Sequence, residues 1–342
     1  MPAPDKPKGR RVAVVGSGLA GLTTAHLLQK SGCEVDLFER ESSIGMDVGS
    51  LTVDGVRVDV PFRVTTPDYY PYLCGLYAYL GIKFAPADYS LGFADGLGET
   101  VWSYTNTQAG GMYLPVPDDL RRGARLAVTR DWLRLVFASV KTMRVPAALR
   151  PGGRLSHVTI GQYLARAQYD AVFVDRVFLP FISSMLTCSL RAAAAYPATT
   201  ILHFVAKVVC GGRVRKARDG VREVCERLTQ GIARTHLGTS IDRIELPAEG
   251  SGGPVLLATS DGKEHRFDEV VLATPADTAA RLLRAAQGPA GRRAGKGAAG
   301  PPGELIDALQ SVPYENTTVV THRDPAVMPA RAAEWRGVNI RT

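Results

Sequence analysis

The chain has 342 residues, 45% hydrophobic and 22% charged; this excludes a disordered polymer and, at ~150 residues per domain, predicts two domains. The net charge of +8 is local, because residues 121–154 hold eight arginines and one lysine against a single acid, Asp131. The five cysteines (Cys33, Cys74, Cys188, Cys210, Cys225) form no CxxC pair and no zinc-spaced cluster, which argues against a disulfide framework or a structural zinc.

In chain order, the valine-rich run Arg11–Val15 predicts a buried strand and Leu19–Lys30 a helix that stops before Gly32. Glu34–Glu39 predicts a second strand, so the first forty residues read β-α-β. Leu51–Val60 alternates around Asp54-Gly55 and predicts a hairpin. A helix is expected over Tyr69–Gly81, strands over Ser90–Tyr113 and one or two basic amphipathic helices over Arg121–Ala148. Ile160–Ala167 and Ala171–Leu190 read as apolar helices. Beyond Gly211-Gly212 the α/β pattern returns: a helix at Val221–Ile232, then strands at Thr239–Leu246, Val255–Ser260 and His265–Thr274. Residues 10–65 and 212–285 are therefore expected to form one discontinuous α/β domain, with 66–211 and 304–342 as a second domain. The Gly/Ala/Pro-rich stretch 286–303 is expected to be a flexible insertion.

The most informative motif is Gly16-Ser17-Gly18-Leu19-Ala20-Gly21, which follows a strand and opens a helix. In that setting Gly16 makes the tight turn, Gly18 lets the backbone approach a pyrophosphate and Gly21 lets helix and sheet pack closely. The pyrophosphate then meets free N–H groups and the positive end of the helix. Glu39 ends the second strand, where a carboxylate accepts from ribose hydroxyls and repels a 2′-phosphate, which argues against NADP. Arg40 beside it is counted with the cofactor site. The motif itself leaves FAD and NAD open.

The stretch from Val12 through VAVVGSGLAGLTTAHLLQKSGCEVDLFERESSIG resembles the N-terminus of the flavin-containing amine oxidase superfamily, which includes phytoene-desaturase-like proteins. GVRVDVPFRV, PYLCGLYAYLGI, TIGQYLARAQYDAVFVDRVFLPFISSMLTCS and HRDPAVMPARAAEW, in that order, are similar to its predicted FAD/NAD(P)-binding oxidoreductases. The resemblance implies an α/β fold: a Rossmann-like FAD/NAD(P)-binding domain with an inserted mixed α+β substrate domain. It implies FAD as cofactor, with NAD as the alternative. It implies an oxidoreductase that takes hydride from a C–N or C–C bond of a small, apolar substrate. It further implies that Ser240 and Ile241 border the adenine, with the Ile241 backbone reaching it, and that Thr274 lies beside the dinucleotide. A flavin-dependent isomerase or mutase is the alternative among enzymes. The sequence departs from the family where a Gly-Gly pair with arginine is common: here Gly45 is followed by Met46 and the arginine is missing. It also stops short of the family's flavin-closing C-terminal segment, which keeps a non-catalytic dinucleotide-binding protein or a fragment as a third reading.

No nucleophile triad or carboxylate pair is readable, so no catalytic residue is assigned. His203, in an apolar run, reads as a core histidine. Trp102, Tyr104, Tyr113, Phe178 and Phe181 read as core or as the wall of an apolar pocket. The basic segment 121–154 suggests peripheral contact with a membrane; no nucleic-acid signature accompanies it. A polar N-terminus and the absence of a run of roughly 18 apolar residues lead us to expect a cytoplasmic protein.

Overall fold

In the computed structural model, which describes residues 9–47, 49–109, 112–118, 123–145, 152–209, 214–247, 251–286 and 303–342, the run Arg11–Val15 is a strand buried along its length. Helix Leu19–Lys30 and the parallel strand Glu34–Phe38 follow it. Glu269–Leu272 adds on one side and Arg234–His236 on the other, giving a four-stranded parallel sheet ordered 234–236, 34–38, 11–15, 269–272. Its central strand Arg11–Val15 is flanked on both sides and buried from Val12 to Val15, which is why it reads as a continuous apolar run.

The chain divides into two compact units. The first comprises Met1–Phe62, Leu80–Ile82 and Asp219–Tyr314. One face of its parallel sheet, through Ala13, Val15 and Phe38, packs on an antiparallel meander of Ile241–Glu245, Val255–Thr259 and Glu264–Phe267. Ile241, Ile244, Leu257 and Phe267 complete that core. Helix Leu19–Lys30 buries Gly21, Leu22, Ala25 and His26 and packs against helix Gly220–Thr229. The latter buries Val221, Val224, Cys225 and Leu228, one stripe at helical spacing. Its N-terminus is capped from a distance: Val221 N donates to the Asp59 carboxylate at 3.2 Å.

Two sequence expectations change here, and one strand is added. The single strand His265–Thr274 is two strands in different sheets, Glu264–Phe267 in the meander and Glu269–Leu272 beside Arg11–Val15. Asp268 is the switch point, since its N donates to Arg11 O at 2.9 Å and its carboxylate accepts from Arg11 N at 2.8 Å. The strand Arg234–His236 has no apolar residue to announce it; it is held by register with Asp36–Phe38. Helix Gly303–Gln310, assigned by sequence to the substrate domain with the rest of 304–342, packs on helix Ala276–Ala286 in the first unit, where Arg284 Nη2 donates to Gln310 Oε1 at 2.6 Å. The flexible insertion expected at 286–303 lies, apart from its two end residues, outside the described residues.

The second unit comprises Arg63–Tyr79, Lys83–Arg218 and Glu315–Thr342. Arg63–Thr65 and Arg215–Ala217 fall here, not with the dinucleotide domain, because Thr65 bridges Arg215 and Arg215–Ala217 pairs with Phe84–Pro86. A sheet ordered 338–341, 91–94, 100–109, 112–117 lies against helix Gly123–Met143 and the shorter helices that follow. Trp102, Tyr104, Phe178 and Phe181 are at most 2% exposed, so they are core and not a pocket wall; the side chain of Tyr113 lies outside the described residues. Trp102 packs on Trp132 with centroids 5.4 Å apart and donates its indole N–H to Thr129 Oγ1 at 3.0 Å. The expected helix 171–190 is interrupted by a wide turn at Val174–Phe178, resumes at Leu179–Leu186 and ends at Thr187, whose φ is +50°. His203 is exposed rather than core, because helix Ala198–Phe204 turns Ala198, Ile201 and Leu202 inward instead. Among the described residues no helix is long and apolar enough to cross a membrane.

Candidate functional site

The candidate site lies in the first unit, where strand Arg11–Val15 turns into helix Leu19–Lys30. Gly16 has φ +101° and donates its N–H to Phe38 O at 2.8 Å, so the turn is pinned to the neighbouring strand. A Cβ there would lie 2.8 Å from Ala273 O, and one on Gly21 would lie 1.9 Å from Gly16 O. Both glycines are therefore demanded by close backbone approach. Gly18 differs: its φ is −62° and a Cβ would meet nothing within 4 Å. The space beside Gly18 is open. The N–H groups of Leu19, Ala20 and Gly21 precede the first helical bond, Leu22 N to Gly18 O at 2.9 Å, and so have no partner within the helix. Gly18 and Ala20 are exposed and the first turn holds no acid, leaving the positive end of the helix accessible to an anion.

Glu39 stands at the other edge of this opening. The carboxylate is 8% exposed and fixed from two sides: Oε2 accepts from Ser17 N at 2.9 Å and Ser17 Oγ at 2.5 Å, while Oε1 accepts from Glu41 N at 3.0 Å. Ser17, fully buried, also accepts from Gly45 N at 2.7 Å. A carboxylate oxygen has two lone pairs, so Oε1 keeps capacity for a ligand hydroxyl. Below Glu39 the sheet edge is held electrostatically. Asp36 is buried; burial works to raise its pKa, but the hydrogen bonds from Arg234 (2.9 and 3.0 Å) and from His236 (3.2 Å) prevail and hold it below the usual carboxylate range.

Two further predicted residues reach the same place. Thr239 N donates to Glu39 O at 2.9 Å, which sets Ser240 and the start of strand Ile241–Glu245 alongside the carboxylate. Thr274 follows Ala273, whose N–H joins Val15 O at 2.8 Å, and its methyl lies 3.4 Å from where a Gly16 Cβ would stand. The Ile241 side chain packs into the core, so only its backbone can serve the site. Arg40 does not join the others: its side chain is 73% exposed and pairs with Glu41 at 3.1 Å. Met46 is 6% exposed, in a short turn, Gly45–Asp47, that packs on helix Gly220–Thr229. Sequence reasoning noted Gly45 only as half of a broken glycine pair; its N–H bond to Ser17 was missed. The signal was a glycine shortly after Glu39. Among the described residues no cluster of His, Cys, Asp and Glu could hold a metal ion.

Comparison with known proteins agrees with this geometry. The sequence profile of the family described as flavin containing amine oxidoreductase matches residues 19–325. A phytoene dehydrogenase of Streptomyces griseus is 28% identical over 307 residues, 80% of this chain and 55% of that protein. A zeta-carotene desaturase of Synechocystis sp. is 46% identical over 61 residues, 18% of this chain and 12% of that protein. A solved putrescine oxidase bound to putrescine superimposes with a TM-score of 0.59 over 80% of this chain and 60% of its own; at 19% identity that likeness concerns the fold. The chain thus spans about half the length of the phytoene dehydrogenase.

Proposed function

Because the chain belongs to the flavin-containing amine oxidoreductase family, whose cofactor is FAD, we propose that it is an FAD-dependent oxidoreductase that converts a C–C single bond of an apolar, polyene-like substrate into a double bond, with loss of a hydride from one carbon and a proton from its neighbour. The observation that carries the dinucleotide part is the junction of the Gly16–Gly21 turn with the buried, doubly anchored Glu39; the family match carries the flavin. These residues fit the adenosine diphosphate half of FAD. The open space at Gly18 and the N–H groups at the helix start would receive the pyrophosphate, Glu39 Oε1 would accept a ribose hydroxyl and the Ile241 backbone would meet the adenine, with Thr274 flanking the turn. The negative charge of Glu39 disfavours a 2′-phosphate. When bound, FAD supplies the two-electron acceptor; the chain's own part is to bind and orient it.

The names of the curated relatives, a phytoene dehydrogenase and a zeta-carotene desaturase, support a C–C over a C–N bond. The test is anaerobic bleaching of the flavin absorbance on adding long-chain polyenes or, separately, primary amines. Bleaching by the polyenes alone is expected. Bleaching by amines alone would move the assignment to C–N oxidation.

A further inference from the structure

Helix Gly123–Met143 presents two apolar faces with different fates. Val128, Trp132 and Leu135 are buried in the core of the second unit. Leu126, Leu133 and Phe137 point the other way and are 52%, 57% and 71% exposed. Their spacing of seven and then four residues puts them in one line along the helix. Arg130, Arg134 and Lys141 stand in or beside the same line, and Arg144 continues it just past the helix end; all four are exposed. The helix has one acid, Asp131, fully buried, which accepts from Arg130, from Arg134 and from Asp170 N. The outward face therefore carries cations and large apolar side chains and no carboxylate.

We propose that this face docks on an anionic lipid surface, with Leu126, Leu133 and Phe137 entering the interface and Arg130, Lys141 and Arg144 meeting lipid phosphates. Charge selects the partner. A second copy of the chain, meeting this face about a two-fold axis, would set the line of cations against itself. A lipid surface offers a plane of phosphates above hydrocarbon, and long basic side chains reach up to the first while short apolar ones sit in the second. A nucleic acid would satisfy the cations but leave Phe137 and Leu133 in water. The contact is peripheral, in keeping with the absence of a spanning helix among the described residues. It is independent of which bond the enzyme oxidises.

The test is sedimentation of the whole chain with vesicles of phosphatidylglycerol and phosphatidylcholine, against phosphatidylcholine alone. Binding to the anionic vesicles at low salt, and not to the neutral ones, is expected. Lys141→Gln with Arg144→Gln should weaken it about thirtyfold. Leu133→Ser with Phe137→Ser should weaken it roughly tenfold or more, with the thermal midpoint unchanged because both side chains are exposed. The difference in emission between Phe137→Trp and the wild type, which removes the signal of Trp102, Trp132 and Trp335, should shift to the blue on vesicle addition and be quenched by brominated lipid. No binding would overturn the proposal. So would binding that ignores the Leu133/Phe137 pair, which means adsorption by charge alone. A difference emission already blue without lipid and dependent on protein concentration would overturn it in favour of a second copy.

Discussion

Ser17 Oγ lies 2.5 Å from Glu39 Oε2, and the same hydroxyl accepts from Gly45 N at 2.7 Å. One buried side chain thus fixes the Glu39 carboxylate and ties it to the following loop. Removing the hydroxyl leaves Glu39 with one fewer donor and Gly45 N without its acceptor. A hydrogen bond to a charged group contributes ~1.5–3 kcal/mol, part of it recovered by water. Ser17→Ala should therefore still fold and weaken FAD about tenfold, read by titrating apoprotein with FAD and following flavin fluorescence. Unchanged affinity would mean that Glu39 is oriented without Ser17.

The glycines of the turn should separate folding from binding. In Gly21→Ala the new Cβ would stand 1.9 Å from Gly16 O, a backbone atom that cannot yield, so helix and strand must part. A loss of ~3 kcal/mol or more is expected in urea unfolding, of the order of the largest single-site effects. In Gly18→Ala the methyl enters open space at an ordinary backbone conformation. That variant should keep its stability and lose FAD affinity, since the methyl occupies the room the pyrophosphate needs.

This contrast also marks what the sequence makes legible. The turn, Glu39 and the hairpin at Asp54-Gly55 are local: each needs particular residues at fixed spacing, and those residues stand there. What stayed hidden depends on partners far along the chain. Nothing around Asp268 says that the apolar run ends one strand and begins another in a different sheet; the Arg11 backbone decides that. Arg234–His236 is polar and becomes a strand only because Asp36 binds Arg234 and His236 from the neighbouring strand. Gly45 is an ordinary loop glycine until Ser17 is seen beneath it.

Acid should destabilise both units. Asp36 in the first unit and Asp131 in the second are fully or almost fully buried. For each, burial works to raise the pKa, but hydrogen bonds prevail: Arg234 and His236 at Asp36; Asp170 N, Arg134 and Arg130 at Asp131. Both native pKa values therefore lie below the unfolded one of ~3.9. A group depressed in this way contributes its full stabilisation above the unfolded value and loses it as pH falls through the native one. Unfolding free energy should thus drop below about pH 4, and Asp36→Asn should flatten part of that drop. An identical acid slope in the variant would show that Asp36 does not titrate with folding.

In the second unit, Thr129 supplies the acceptor for the buried Trp102 indole. Thr129→Val keeps the volume near constant and strands that N–H without a partner. A cost of ~1–3 kcal/mol is expected in denaturant unfolding, with near-ultraviolet dichroism reporting the tryptophan. No loss of stability would mean that the Trp102 N–H finds a second acceptor.

The central claim is that the cradle formed by Gly16–Gly21 and Glu39 holds FAD. It is tested most directly by the visible spectrum of the purified protein, before and after adding FAD, with chromatographic identification of any nucleotide released on heating. The account predicts flavin bands, either as purified or after reconstitution, and release of FAD. A colourless, folded protein that takes up no added FAD, or one that releases only NAD, would contradict it.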